Sequence, residues 1–336
     1  MINKTIRGLF NFAKQEKAER IVISESLNGP SCRCHLPGGE EAVFNLPKKL
    51  ENSLADNLRD LLKIAPGELT SSKYCKIKDR NNNFNFHLSI LPDKLGEKII
   101  IKIIHENQEI LNLNQLGLQR RDLEIIKRNI TSPGGLIVIS SPEKQGRSST
   151  IKALIDAINQ EHKNIYFLGH NNLETHGVNL LENNSQNWDK IMKHDSDVIA
   201  LEIENEDQES LKRAIFAAST GRLVIITIES INSLEAMHKL LSSGLPLKLI
   251  LDSLKMISSQ ELIKLKRIKT KKKESRTQIG IFEILTLNQE TKNWIISNEK
   301  GLTNAKFWKD FFQLVIKNGY RPAIFDKKQK TKDGII

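Results

Sequence analysis

Residues 134–150, GGLIVISSPEKQGRSST, restrict the possible folds of this chain more than any other stretch. Leu136–Ile139 is a short apolar run of strand type. The polar turn Ser140–Gln145 follows, and Gly146-Arg147-Ser148-Ser149 opens the amphipathic stretch Thr150–Ile158. A strand that turns through a glycine into a helix makes a cradle for phosphate, because backbone N–H groups can curl around the anion at the helix N-terminus. Such a P-loop uses glycines for its tight backbone, a lysine to reach the β- and γ-phosphates, and a Ser/Thr hydroxyl for Mg²⁺. Gly146 and the Ser148 hydroxyl stand where this pattern needs them, with Ser149 following. Ser141 replaces the first glycine and Arg147 replaces the lysine. The cradle is legible, and its chemistry is altered.

The pattern around this motif predicts an α/β chain. From Gln119 onwards helices alternate with buried strands: Leu136–Ile139, Asn164–Leu168, Val198–Ile203 and Leu223–Ile228 are strand runs. Helical spacing occupies Arg121–Arg128, Thr150–Gln160, Trp188–Lys193, Glu209–Ser219, Ser233–Ser242 and a stretch near Leu249–Ile268. Strands separated by helices imply a mostly parallel sheet between helical layers, with ligands beyond the strand C-termini. Residues 18–108 read instead as a small α+β domain. Its strands are Arg20–Ser24, Cys32–Leu36, Phe84–Leu91 and Lys98–Ile104, and leucine spacing predicts a helix over Pro47–Ile64. The expected layout is a leader over 1–17, the small domain over 18–108, a linker over 109–118, a nucleotide-binding-type domain over 119–258, and a helical, basic region over 259–336. Phe10, Phe12 and the spaced lysines of the leader also permit a short amphipathic helix.

Composition narrows the partners. The 336 residues carry a formal net charge of +11, which admits nucleotide, nucleic acid or a phospholipid surface. Part of that excess is local: residues 264–276, KLKRIKTKKKESR, hold eight basic side chains and one acid. A solvated loop is the plainest reading of this run, with acidic lipid headgroups, an acidic protein or nucleic acid as the alternatives. It contains no aromatic residue, so bases have no stacking platform there and nucleic acid is disfavoured. No run of 18 apolar residues is present to span a bilayer. Cys32 and Cys34 would share one face of a strand, and no second Cys/His pair stands at ligand spacing; two packed thiols are expected rather than a metal site.

Several landmarks occur in a telling order. AERIVISE is followed by FHLSILPDKLGEKIIIKI, PGGLIVISSPEKQGRSST, HDSDVIALEIENEDQES, AASTGRLVIITIES, ISSQELIKLKRI and TQIGIFEIL. Over residues 18–330 this series resembles the secretion ATPases of type II secretion and type IV pilus assembly, hexameric motors with a RecA-like core. The second segment is similar to the family's LRVSTLPTxxGEKxVxRI, the third to PxGLILVTGPTGSGKSTT, and the fifth to AAxTGHLVLxTLHTN. The resemblance implies a RecA-like P-loop NTPase core preceded by a small α+β domain. It also implies ATP and Mg²⁺ as ligands, and a homo- or hetero-hexamer formed with secretion or pilus ATPase subunits. Inner-membrane assembly platform proteins would be the partners, and the location cytoplasmic, peripheral at the inner membrane.

Departures from the family concentrate where chemistry belongs. Lys144 stands for the middle glycine of the loop and Glu143 for the preceding threonine. A Cβ in an unfavourable backbone region costs about 1–3 kcal/mol. Glu143 adds a carboxylate beside the expected triphosphate, and a planar guanidinium does not substitute freely for a compact ammonium. Loss of one preorganised donor costs about 3–4 kcal/mol in catalysis. FLGHNNLE falls on the acidic box TIEDPVE, putting Gly169 and His170 in place of its acids, and Glu174 fits only with a shift. Arg222 and Glu229 replace the paired histidines. The Walker B acid corresponds to Glu202 with a one-residue deletion or Glu204 with an insertion, and a solvated helix cap explains this acid-rich stretch equally well. Arg33 is the one candidate for the small-domain arginines that reach nucleotide in this family. The four-cysteine zinc insert of type II members has no counterpart, and no metal site is expected.

The expected function is that of a pseudo-ATPase or non-catalytic assembly subunit. A divergent active ATPase that powers pilus assembly or secretion is the alternative, with Arg147 and Glu202 or Glu204 as lysine and Walker B substitutes. A third reading is a basic nucleic-acid- or lipid-surface-binding module.

Overall fold

The computed structural model describes residues 4–24, 31–36, 40–45, 59, 70–79, 82–94, 96–104, 111–159, 163–169, 177–203, 207–265 and 278–336. The chain divides into two compact units, Met1–Glu109 and Ile110–Ile336. In the first, helix α1 (Lys4–Gln15) precedes strands β1 (Arg20–Ser24), β2 (Ser31–His35), β3 (Glu41–Asn45), β4 (Thr70–Asp79), β5 (Asn82–Asp93) and β6 (Gly96–Ile104). They form an antiparallel sheet of order β3-β2-β1-β6-β5-β4.

The stretch expected as a leader is α1. Ile6, Phe10 and Ala13 fall on one helical stripe and are buried with Ile21, Phe86, Leu88 and Ile101 of the sheet. Phe10 sits 5.0 Å from the Phe86 ring and 5.2 Å from Phe84, so the short amphipathic helix gains enough apolar contact to be held down. Cys32 and Cys34 share the buried face of β2 as free thiols, as alternation along a strand requires. The predicted helix over Pro47–Ile64 lies outside the described residues except for Arg59.

The second unit runs α2 (Arg120–Ile130), β7 (Gly135–Ser141), α3 (Arg147–Ile158), β8 (Ile165–Leu168), β9 (Val178–Leu181), α4 (Ser185–Lys193) and β10 (Val198–Glu202). It continues through α5 (Gln208–Ser219), β11 (Leu223–Glu229), α6 (Ser233–Leu241), α7 (Leu247–Ser253), β12 (Leu254–Lys264) and β13 (Gln278–Leu285). Three helices close it: α8 (Gln289–Ser297), α9 (Ala305–Lys317) and α10 (Ala323–Lys332). The sheet order is β13-β12-β7-β11-β10-β8-β9, with every pair parallel except β12 and β13. All seven positions of β7 are buried, which its unbroken apolar run requires of a strand covered on both faces. Leu136 and Val138 pack into one core with α5, α6 and α9, whereas Ile137 and Ile139 pack into the other with α2 and α3.

Three expectations change here. The helix read near Leu249–Ile268 ends at Ser253, and Leu254–Lys264 is β12; its leucine and isoleucine spacing suits a helix equally, and pairing with β7 decides. The region from 259 onwards is therefore not a separate helical segment, because β12 and β13 extend the central sheet. In the stretch read as a linker, Leu113 and Leu116 are buried in the core beside α2 and α3. Of the basic run, residues 266–276 lie outside the described residues.

Candidate functional site

β7 lies between β11 and β12 at the centre of the sheet, so the loop after it opens at the C-terminal edge, where doubly wound sheets bind ligands. Gly146 adopts φ 84°, the left-handed conformation a glycine takes without penalty, and α3 starts at the next residue. A Cβ at Gly146 would meet Gln260 Nε2 at 3.1 Å. Lys144 also takes a left-handed φ, 61°. The loop thus keeps a backbone bend suited to the family's middle glycine and accepts the strain of a side chain there, about 1 kcal/mol or more.

The loop is stitched to β12. Gln260, nearly buried, donates through Nε2 to the Gln145 carbonyl at 2.7 Å, and its Oε1 accepts from Thr150 Oγ1 at 2.6 Å. The Leu262 N–H donates to Gln145 Oε1 at 2.7 Å. These contacts join residues more than a hundred positions apart, and nothing local in the sequence announces them. Ser141 is fully buried, with its hydroxyl turned to the Pro142 carbonyl at 2.8 Å. Ser148 and Ser149 sit half-buried in the first turn of α3.

Arg147, first residue of α3, does not project into open solvent. Its Nη2 lies 3.8 Å from Glu229 Oε2, with the arginine side chain 19% and the glutamate 33% exposed. Its Nη1 is buried and has no hydrogen-bond partner. Burial pushes the guanidinium pKa down, and the carboxylates of Glu229, Glu202 and Glu143, in that order of influence, push it back up. Lys152, one turn further along α3, is likewise lowered by burial and raised by Glu202. Glu202 ends β10, opposite Thr227 of β11. Glu229 therefore pairs with the cation that stands in the P-loop lysine position, and the charges of Glu202 and Glu143 act on it more weakly.

The other predicted residues separate. Glu204 lies outside the described residues, as do His170 and Glu174. Arg33 is exposed on β2 of the first unit, between Val22 and Val43 in the ladder. Arg222, in place of the first paired histidine, precedes β11 at the edge opposite Glu229, about 20 Å away along the strand. It ties its loop together instead: Nε donates to Ser196 Oγ at 2.8 Å, Nη1 to Thr220 Oγ1 at 2.9 Å, and Nη2 to the Met192 carbonyl at 3.1 Å. Glu229, Lys152 and Gln260 belong to the site and were not singled out as ligands by spacing. For Glu229, the signal was its place at the end of the strand beside β7. Among the described residues no group of three His, Cys, Asp or Glu side chains could hold a metal ion, and no helix is long and apolar enough to cross a membrane.

The sequence pattern of the family described as Type II/IV secretion system protein matches residues 64–326, which run through both units. The chain belongs to this family. Type II secretion system protein E of Pectobacterium carotovorum subsp. carotovorum is 23% identical over 273 residues, 78% of this chain and 55% of that protein. Type IV pilus assembly ATPase PilB of Myxococcus xanthus (strain DK1622) is 25% identical over 245 residues, 68% of this chain and 42% of that protein. The chain spans about half the length of the curated relatives it matches. The crystal structure of the pilus retraction motor PilT with bound ADP superposes with a TM-score of 0.73 at 18% identity, covering 98% of this chain and 94% of PilT. That likeness establishes the fold: the second unit of this secretion-family chain is a RecA-like P-loop core.

The bent backbone and the N-terminus of α3 suit an anion, while the Arg147 guanidinium lies 3.8 Å from Glu229 and is acted on more weakly by the charges of Glu202 and Glu143.

Proposed function

We propose that this chain is a non-catalytic member of the Type II/IV secretion system family, a pseudo-ATPase that contributes the fold of a motor subunit without its turnover. The observation that carries this reading is Arg147, held in the lysine position of the P-loop and paired with the chain's own Glu229. Supporting it, Lys144 burdens a glycine bend, and Glu143 and Glu202 repel added anion. Relatives named as secretion and pilus ATPases supply the context for the rest of the proposal. The chain assembles as a homo-hexamer or joins intact ATPase subunits in a hetero-hexamer, against inner-membrane platform proteins at the cytoplasmic surface. If nucleotide is taken up, Gly146, Ser148 and Ser149 with the α3 N-terminus would hold ATP and Mg²⁺, and Ser141 would line the loop.

The alternative of a divergent motor is favoured by one feature, the placement of Glu202 at the end of β10, as a Walker B acid requires. Phosphate release by the full chain under saturating Mg²⁺-ATP decides between them. Release at the level of protein-free buffer, unchanged by Arg147→Ala, is expected. Turnover approaching the ~1 s⁻¹ of ordinary enzymes, abolished by Glu202→Gln, would replace this proposal with the divergent motor.

A further inference from the structure

Glu229 is placed on the phosphate loop by the backbone before its side chain makes any contact. In the β7–β11 ladder it stands opposite Ser141, the first residue of the loop. The next N–H, that of Ser230, donates to the Ser141 carbonyl at 3.2 Å, and Lys239 Nζ donates to the carbonyl of Glu229 itself. The Cα of residue 229 is thereby held at the mouth of the cradle, and a side chain of glutamate length reaches the guanidinium. Arg147 answers with one arm only. Nη2 faces the carboxylate, whereas Nη1 is buried with no acceptor. An arginine fork is suited to two oxygens of a phosphate, and a buried donor left unmade is a lasting cost.

We propose that the Glu229 carboxylate is the resident anion of this cradle, taking the place of a ligand phosphate beside Arg147 and closing the loop to polyphosphates. The proposal rests on the pseudo-ATPase reading and names the residue that enforces it. It explains why the loop is folded with Arg147 charged and inward, since the countercharge comes from the neighbouring strand. It also assigns the excluded ligand class: diphosphate groups, whether free or on a nucleotide, whose oxygens would compete for the same guanidinium. Glu229 stands at ion-pair distance from Arg147 and has the largest carboxylate influence on it, with Glu202 and Glu143 adding to the barrier.

Calorimetric titration of the full chain with Mg²⁺-ADP and, separately, with inorganic pyrophosphate tests this. Wild type, Glu229→Gln and Glu229→Gln with Arg147→Ala are compared, each shown to be folded by its thermal transition. Glu229→Gln is expected to gain at least tenfold in affinity for one or both probes, and the added Arg147→Ala to remove the gain. Pyrophosphate and Mg²⁺-ADP gaining alike would locate recognition in the diphosphate; a gain for Mg²⁺-ADP alone would add the nucleoside to it. A folded Glu229→Gln with no gain for either probe, or a gain that survives Arg147→Ala, overturns the proposal. Should Glu229→Gln unfold, Glu229→His carries the same comparison. Failure here with absent turnover removes only the role of Glu229, whereas magnesium-dependent hydrolysis by wild type removes the pseudo-ATPase reading itself.

Discussion

Glu283 offers the most exacting test of how the second unit is held together. Its side chain lies in β13 and is nearly buried, yet it serves two helices at once. Oε1 accepts from the Ser233 N–H at 2.7 Å, at the start of α6, and Oε2 accepts from the Ala323 N–H at 2.8 Å, at the start of α10. Helix N-termini carry unsatisfied donors and partial positive charge, so one carboxylate stabilises both. The Tyr320 hydroxyl is part of the same group, its pKa pushed up by burial, then by the Glu283 charge and by the hydrogen bond to it. Glu283→Gln retains one acceptor oxygen and turns an N–H₂ group towards the second helix. That change orphans one buried donor at about 1–3 kcal/mol and weakens two helix-terminus interactions, for a total of about 2–4 kcal/mol. Glu283→Ala orphans both donors and costs about 3–6 kcal/mol. All three tryptophans, Trp188, Trp294 and Trp308, lie in this unit, so fluorescence during urea unfolding follows it alone. With a slope of about 2–3 kcal/mol per molar urea, the Glu283→Gln midpoint should fall by about 1 M. A midpoint for Glu283→Gln within about 0.2 M of wild type would show that the two caps are not carried by this carboxylate.

Three further outcomes follow from the same geometry. Gly134→Ala would bring a Cβ to 2.3 Å from the Gly221 carbonyl oxygen, backbone that cannot swing aside, and should cost about 1–3 kcal/mol in thermal or denaturant unfolding. Gln260→Ala should raise amide exchange at Leu262 and through Gln145–Thr150 well above its effect on the rest of the sheet, because it cuts the stitch between loop and β12. Burial, then the charge of Asp326, pushes the Asp122 carboxyl pKa up, so the folded chain holds that proton more tightly than the unfolded chain. Its stabilising contribution is full below the unfolded value and is lost as pH rises through the folded one. Asp122→Asn should therefore raise the melting temperature at neutral pH, with the gain shrinking as pH falls to about 4; a gain constant across pH would contradict this.

Much of the fold could be read from residues whose signals are local. The unbroken apolar run Leu136–Ile139 announces a strand covered on both faces, and Gly146 before a hydroxyl-rich helix start announces the cradle. Arg147 and Glu229 were visible as departures from a pattern, but not as partners, because a parallel sheet brings residues 82 positions apart side by side. The apolar spacing of Leu254–Lys264 suits helix and strand alike, and only the open edge of β7 settles it. Phe10 and Phe12 permit a short helix by their spacing, and only the sheet they pack against holds it in place. The bridge from Gln145 to Gln260 had no sequence signature, since each glutamine by itself is ordinary. Local propensity thus marks the elements, while long-range pairing decides which charged side chains meet.

Titration of the unmodified full chain with Mg²⁺-ATP, with its oligomeric state recorded in the same solution, bears most directly on the claim that a motor fold here has shed its nucleotide chemistry. No saturable heat is expected up to about 1 mM, which is binding weaker than ~4 kcal/mol, in whatever assembly the chain forms. Stoichiometric binding at micromolar concentration would contradict it, and would mean that Arg147 leaves Glu229 for phosphate.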